Sequence, residues 1–139
     1  MRLSALLLVF ACATSAATVN HRSLQSGGMA ASRSVERNAY AAADATTYRA
    51  LWHDLIGGGD PLAVDFSKES VVFLLGGRRP TGGHHVEVEK VVPEADGVAV
   101  TATVKPPPAD SMNIQVITYP YNVIAIARPG VKKVRWAGK

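Results

Sequence analysis

The chain has 139 residues, a formal net charge of +4, 47% hydrophobic and 6% aromatic residues, and one cysteine. That length suits a single domain around one hydrophobic core, and a lone Cys12 excludes an internal disulfide and a cysteine-rich metal centre. The balance is only mildly basic and lacks interleaved aromatics, which argues against nucleic acid as a partner.

Met1-Arg2 is a short positive start, Leu3 to Ala13 is nearly all apolar, and Ser15-Ala16-Ala17 supplies small residues at the −3 and −1 positions of a cleavage site. This is the layout of a secretory signal peptide over 1–17, and its apolar stretch falls short of the about 20 residues that span a bilayer. The competing lipoprotein reading takes Val9-Phe10-Ala11-Cys12 as the acceptor box, but Phe10 is bulky there. Cleavage after Ala17 removes Cys12 and Arg2. The expected location is periplasmic or secreted, without a transmembrane helix.

Residues 18–31 are small and polar, Thr18 to Gly28 without any periodicity, and read as a flexible N-terminal segment. A single domain is expected over 32–139, opening with a polar edge strand at Ser32 to Ala39. Asp44 is placed to cap a helix over Ala45 to Ile56, where Tyr48, Leu51, Trp52, Leu55 and Ile56 share one face and Gly57-Gly58-Gly59 stops it. Ser70 to Leu75 is a continuous apolar run, suited to a strand buried on both faces. His84 to Val92 alternates, with Val86 and Val88 opposite Glu87 and Glu89. Pro93 to Gly97 reads as a hairpin turn, and Val98, Val100, Ala102 and Val104 line one face of the returning strand. Pro106-Pro107-Pro108 forms a stiff loop. Strands are expected at Asn113 to Thr118, Tyr121 to Ala127 and Val131 to Trp136. The fold class is mainly β: an antiparallel sandwich or partly open barrel with one N-terminal amphipathic helix packed on it.

The chemistry-bearing stretch is Gly76-Gly77-Arg78-Arg79-Pro80-Thr81-Gly82-Gly83-His84-His85. It has no Gly-Lys-Ser/Thr and no following helix to hold a phosphate. Adjacent strand residues face opposite ways, so His84 and His85 do not converge on one metal ion. Ser67, Ser70 and Ser111 lack a nucleophile context. Glu87 and Glu89 read as a solvated face, Trp52 and Tyr48 as core anchors, and Lys132 to Trp136 as a lysine-guarded edge. No enzyme, cofactor or metal is expected.

Trp52, Val64-Asp65-Phe66-Ser67-Lys68, Arg79-Pro80-Thr81-Gly82-Gly83, Val86-Glu87-Val88 and Gln115-Val116-Ile117-Thr118-Tyr119-Pro120-Tyr121 occur in that order. This set resembles the PrcB family of protease-complex subunits, whose shared module is the PrcB C-terminal domain. His84 stands where that family commonly has an aromatic residue. The resemblance implies an exported, non-catalytic module that associates with or stabilises a secreted or envelope protease. The residues expected to touch such a partner are Arg78, Arg79, Pro80, Thr81, Gly82, Gly83, His84 and Tyr121, with the arginines able to meet carboxylates bidentately and Pro80 pre-ordering the loop.

Two alternatives belong to other classes. Pro80-Thr81-Gly82-Gly83 and Arg128-Pro129-Gly130 resemble two loops of chagasin-type protease inhibitors, which requires Thr81 and Pro129 at one end of the sandwich. A small-ligand module of the cell envelope instead requires a pocket beside Trp52 or Tyr121.

Overall fold

The computed structural model describes residues 17–138, so the signal-peptide and Cys12 readings lie, except for Ala17, outside the described residues. Within them the strands are β1 (His21–Gly27), β2 (Asn38–Ala42), β3 (Ser70–Leu75), β4 (His85–Glu94), β5 (Gly97–Lys105), β6 (Tyr121–Ile126) and β7 (Val134–Ala137), with a short helix α1 (Ala45–Leu51) between β2 and β3. The continuous apolar runs become β3 and β6, whose residues are all buried. They pair antiparallel from Ser70 opposite Ile126 to Leu75 opposite Tyr121, at the centre of a four-stranded sheet ordered β1-β6-β3-β2.

Both faces of this sheet are covered, which explains why its central strands do not alternate. On one side Val71, Phe73, Val123 and Ala125 meet Tyr48, Trp52, Leu55 and Ile56 of the helical segment. On the other, Val72, Leu74, Ile124 and Ile126 meet Val86, Val91, Val98, Val100 and Ala102 of a second sheet, ordered β4-β5-β7. The molecule is therefore a mainly β, two-sheet sandwich with a helical layer outside the larger sheet. No helix among the described residues is long and apolar enough to cross a membrane.

Asp44 caps the helix as its position in the sequence implies. Its Oδ1 accepts from the Thr47 amide at 2.8 Å and its Oδ2 from the Thr47 hydroxyl at 3.0 Å. These bonds, the amide first, hold the Asp44 carboxyl below the usual carboxylate range. A depressed folded-state pKa contributes stability that is complete above the unfolded value and fades as pH falls through the folded one. Asp44→Asn keeps an acceptor but not the charge. It is expected to flatten the acid limb of a melting-temperature profile against pH, and an unchanged limb would show that the charge is without effect. After Leu51 the helix continues through a wider π turn, Trp52–Ile56, which the Gly57 amide closes on the Trp52 carbonyl at 3.0 Å.

Several expectations shift. The segment read as a flexible linker contains β1, an edge strand in which only Leu24 is buried. Backbone pairing to β6 and polar cross-strand bonds, Ser23 to Asn122 and Gln25 to Tyr121, make this strand, and hydrophobic periodicity does not detect such bonds. The edge strand expected at Ser32 to Ala39 lies later, in β2, where small residues alternate between layers: Ala39 and Ala41 toward the second sheet, Tyr40 and Ala42 toward the helix. A bulge between Val88 and Lys90 takes Glu89 out of the expected Glu87–Glu89 register and returns Val91 to the core. β7 begins at Val134 and runs parallel to β5, so this sheet is mixed and not purely antiparallel. The β4–β5 hairpin turns on Ala95-Asp96, with Gly97 already paired to Glu94. Gly97 is required by close approach, since a Cβ there would collide with the Lys133 carbonyl at the entry to β7. Asn113 to Thr118 forms no strand. Only Thr118 and Tyr119 make isolated bridges, to Arg79 and Met29.

Candidate functional site

Three connections meet at the end of the sandwich marked by Leu75 and Tyr121: 28–37, 76–84 and 106–120. Backbone bonds knit them together. The Gly76 amide donates to Pro120 at 2.8 Å, Arg78 to Val35 at 3.0 Å, and Tyr119 to Gly28 at 2.8 Å. Arg79 and Thr118 exchange both amide-to-carbonyl bonds at 2.9 Å, and the Gly82 amide donates to Ile114 at 2.9 Å. The loop is thus held on both flanks, a stronger constraint than Pro80 and the glycines impose alone.

Side chains complete the frame. Thr118 is buried, and its hydroxyl donates to the Thr81 carbonyl at 2.7 Å. His84 Nδ1 lies 3.0 Å from the same carbonyl. A carbonyl only accepts, so this nitrogen carries the hydrogen. The Thr81 hydroxyl donates within the loop, to the Gly82 carbonyl at 3.2 Å. His85 faces away from this group, exposed at the start of β4 with Nε2 3.8 Å from Glu87. The two histidines therefore do not converge.

The expected contact residues separate into two sets. Arg78 and Pro80 are exposed, Gly83 is exposed, and Thr81, Gly82 and His84 are half-buried, so these stand together on the surface. Arg79 is different. Its guanidinium turns back onto the Gly76 carbonyl, donating from Nε at 3.2 Å and from Nη2 at 2.8 Å. Tyr121 is buried at 8% exposure, with its ring over Gly27 and its hydroxyl accepting from Gln25 at 2.9 Å. The contact role expected of Tyr121 is corrected to a core role, because the β1 edge covers the ring. Arg79→Ala is expected to lower stability by about 1 kcal/mol through the lost charge-assisted bonds. Arg78→Ala should leave the melting temperature unchanged, and thermal denaturation of the two variants distinguishes anchor from free cation.

Other sequence blocks also find architectural roles. Asp65 Oδ1 accepts from the Ser67 amide at 3.0 Å and the Ser67 hydroxyl at 2.6 Å. This turn sets Phe66 against Tyr48, with ring centres 5.6 Å apart. The stretch expected as a strand from Asn113 to Thr118 instead lies exposed along the site as far as Ile117, with Met112, Ile114, Val116 and Ile117 uncovered. Thr118 is not among the contact residues expected from the sequence. Its signal was its place in the Gln115 to Tyr121 block.

The geometry weighs against both alternatives. Antiparallel pairing sets Ser70 beside Ile126 and Leu75 beside Tyr121. Arg128 follows Ile126, and its carbonyl accepts from the Ser70 hydroxyl at 2.7 Å. Pro129 thus lies at the Ser70 end and Thr81 at the Leu75 end, so the two loops of an inhibitor-like wedge are on opposite ends of the sandwich. The small-ligand reading required space beside Trp52 or Tyr121, and both rings are packed in the core at 2% and 8% exposure.

Residues 70–127 match the family model described as PrcB C-terminal. No curated protein and no solved structure matches the chain. The matched span opens at the first residue of β3 and closes just past β6, enclosing both the 76–84 and 106–120 connections. Trp52 and the Asp65-Phe66-Ser67 turn lie before it. Over residues 70–127 the chain is similar to the PrcB C-terminal family, and the match supports membership of it.

Proposed function

We propose that this protein is an exported, non-catalytic module that binds a protein partner, a secreted or envelope protease, and stabilises it. The family match over 70–127 carries this reading. The layout of residues 1–17 supports export. The knitted loop end supports binding, since a segment already fixed by backbone bonds on both flanks loses little conformational freedom on association. Exposed Arg78 supplies a bidentate group for a partner carboxylate. The test is affinity isolation of the tagged full chain from envelope extract, followed by proteolytic assay of what is retained. A co-purifying protease whose lifetime falls when this chain is removed is the expected result. Retention of a small molecule with no protein partner would overturn the reading.

A further inference from the structure

The segment 112–117 has the composition of a strand but lies outside both sheets. Arg79 and Thr118 form a doubly bonded antiparallel pair, and the next such pair would be Thr81 opposite Val116. It does not form. The Thr81 carbonyl is already taken by the Thr118 hydroxyl and His84 Nδ1, and the following bond, Gly82 to Ile114, is slipped by one residue. Among the described residues, the amides of Met112 to Ile117 and the carbonyls of Gln115, Val116 and Ile117 have no hydrogen-bond partner. Met112, Ile114, Val116 and Ile117 are 102%, 73%, 40% and 41% exposed. An exposed apolar segment with unpaired backbone groups is a template for strand addition.

We propose that residues 112–117 are a strand-addition site for an extended acidic–apolar segment of a protein partner, with Arg78 as its charge anchor. This rests on the protein-binding reading and names the chemistry of the partner. Arg78 is exposed beside the Arg79–Thr118 bridge, and its side chain makes no ion pair among the described residues. Arg79 is committed to Gly76, and Arg37 to the Gly138 carbonyl and the Trp136 ring. Asp110 is the only ionisable side chain in the 106–118 stretch, and Glu36 and Arg33 lie in the neighbouring 28–37 connection. A second copy would bring the same Arg78 and a chain of net charge +4, so self-pairing is opposed and an acidic segment favoured.

The probe is a capped peptide alternating valine and glutamate, compared with the same peptide carrying lysine for glutamate. Amide exchange and chemical shifts of the full chain are read at Met112 to Ile117. The acidic peptide should protect these amides and the lysine peptide should not. Arg78→Glu should weaken the acidic peptide about tenfold, the equivalent of one charged hydrogen bond. Val116→Pro should abolish protection without lowering the melting temperature. Should that variant not fold, Arg78→Glu alone decides. Equal protection by both peptides, protection by neither, or concentration-dependent dimerisation that buries 112–117 without peptide would overturn the proposal. In the envelope isolation, a Val116→Pro chain that still retains the protease defeats this site and leaves the function standing. A wild-type chain that binds the acidic peptide but retains no protease defeats the protease assignment alone.

Discussion

Trp52→Ala is expected to lower the unfolding free energy by about 3–5 kcal/mol, the usual range for deleting a buried tryptophan. Trp52 is 2% exposed and sits between the helical layer and the larger sheet. Its ring meets Tyr48 edge-on at 5.9 Å between centres and Phe73 at 6.5 Å. Such a loss is a large share of the about 5–15 kcal/mol that holds an ordinary domain together. Trp52 Nε1 is buried without a hydrogen-bond partner, so part of the indole's contribution is already offset by desolvation. Trp52→Phe deletes that donor while keeping an aromatic ring, and should cost less than about 2 kcal/mol. Urea unfolding followed through Trp136, the other tryptophan, measures both. A loss below about 1 kcal/mol for Trp52→Ala would mean that the helical layer does not unfold together with the sheet.

The parts of the fold that sequence reading reaches are those where one residue type decides the outcome. The unbroken runs Ser70 to Leu75 and Tyr121 to Ile126 had to be buried on both faces, and the helical face with Asp44 before it had to pack on something. The parts it misses are decided by partners distant in sequence. β1 is a strand because β6 offers it an edge, and β7 can lie against β5 because Gly97 lets Lys133 approach. The segment 113–118 shows the opposite error. Its local preference is for a strand, but the carbonyl that would extend its ladder is occupied by Thr118 and His84. The same holds at the site. The loop 76–84 stands out by composition, yet nothing in the order of its residues distinguishes Arg78 from Arg79, or shows that β1 will cover Tyr121. Those roles come from Gly76, Gly27 and Gln25, up to 96 positions away in the chain.

Gly83→Val is the substitution expected to link stability to recognition most directly. Gly83 has φ of 83°, and a Cβ on it would lie 2.5 Å from Asn113 Oδ1 and 2.7 Å from Pro107 Cβ. The backbone strain is about 1–3 kcal/mol for a non-glycine residue, and the collision with a proline ring that cannot swing aside adds about 1–3 kcal/mol. The chain can escape part of this only by moving 106–113 away from 76–84, which pulls Ile114 from its bond with the Gly82 amide. Thermal denaturation should therefore fall by an amount equivalent to about 2–4 kcal/mol, with faster amide exchange at Gly82 as the local sign of parting. Gly82→Ala is the internal control. Its Cβ would meet Ile114 at 3.6 Å, an ordinary contact, and the variant should be close to wild type in both measurements. If Gly83→Val proved equally benign, the two connections would not be held together by contact at Pro107 and Asn113. The exposed segment 112–117 would then be positioned only by its hydrogen bonds to Arg79, Thr81 and Gly82, and a partner strand would have to order it further on arrival at a cost in affinity. If the variant loses stability as expected, glycine at this position is what lets the loop and the segment present one pre-formed edge.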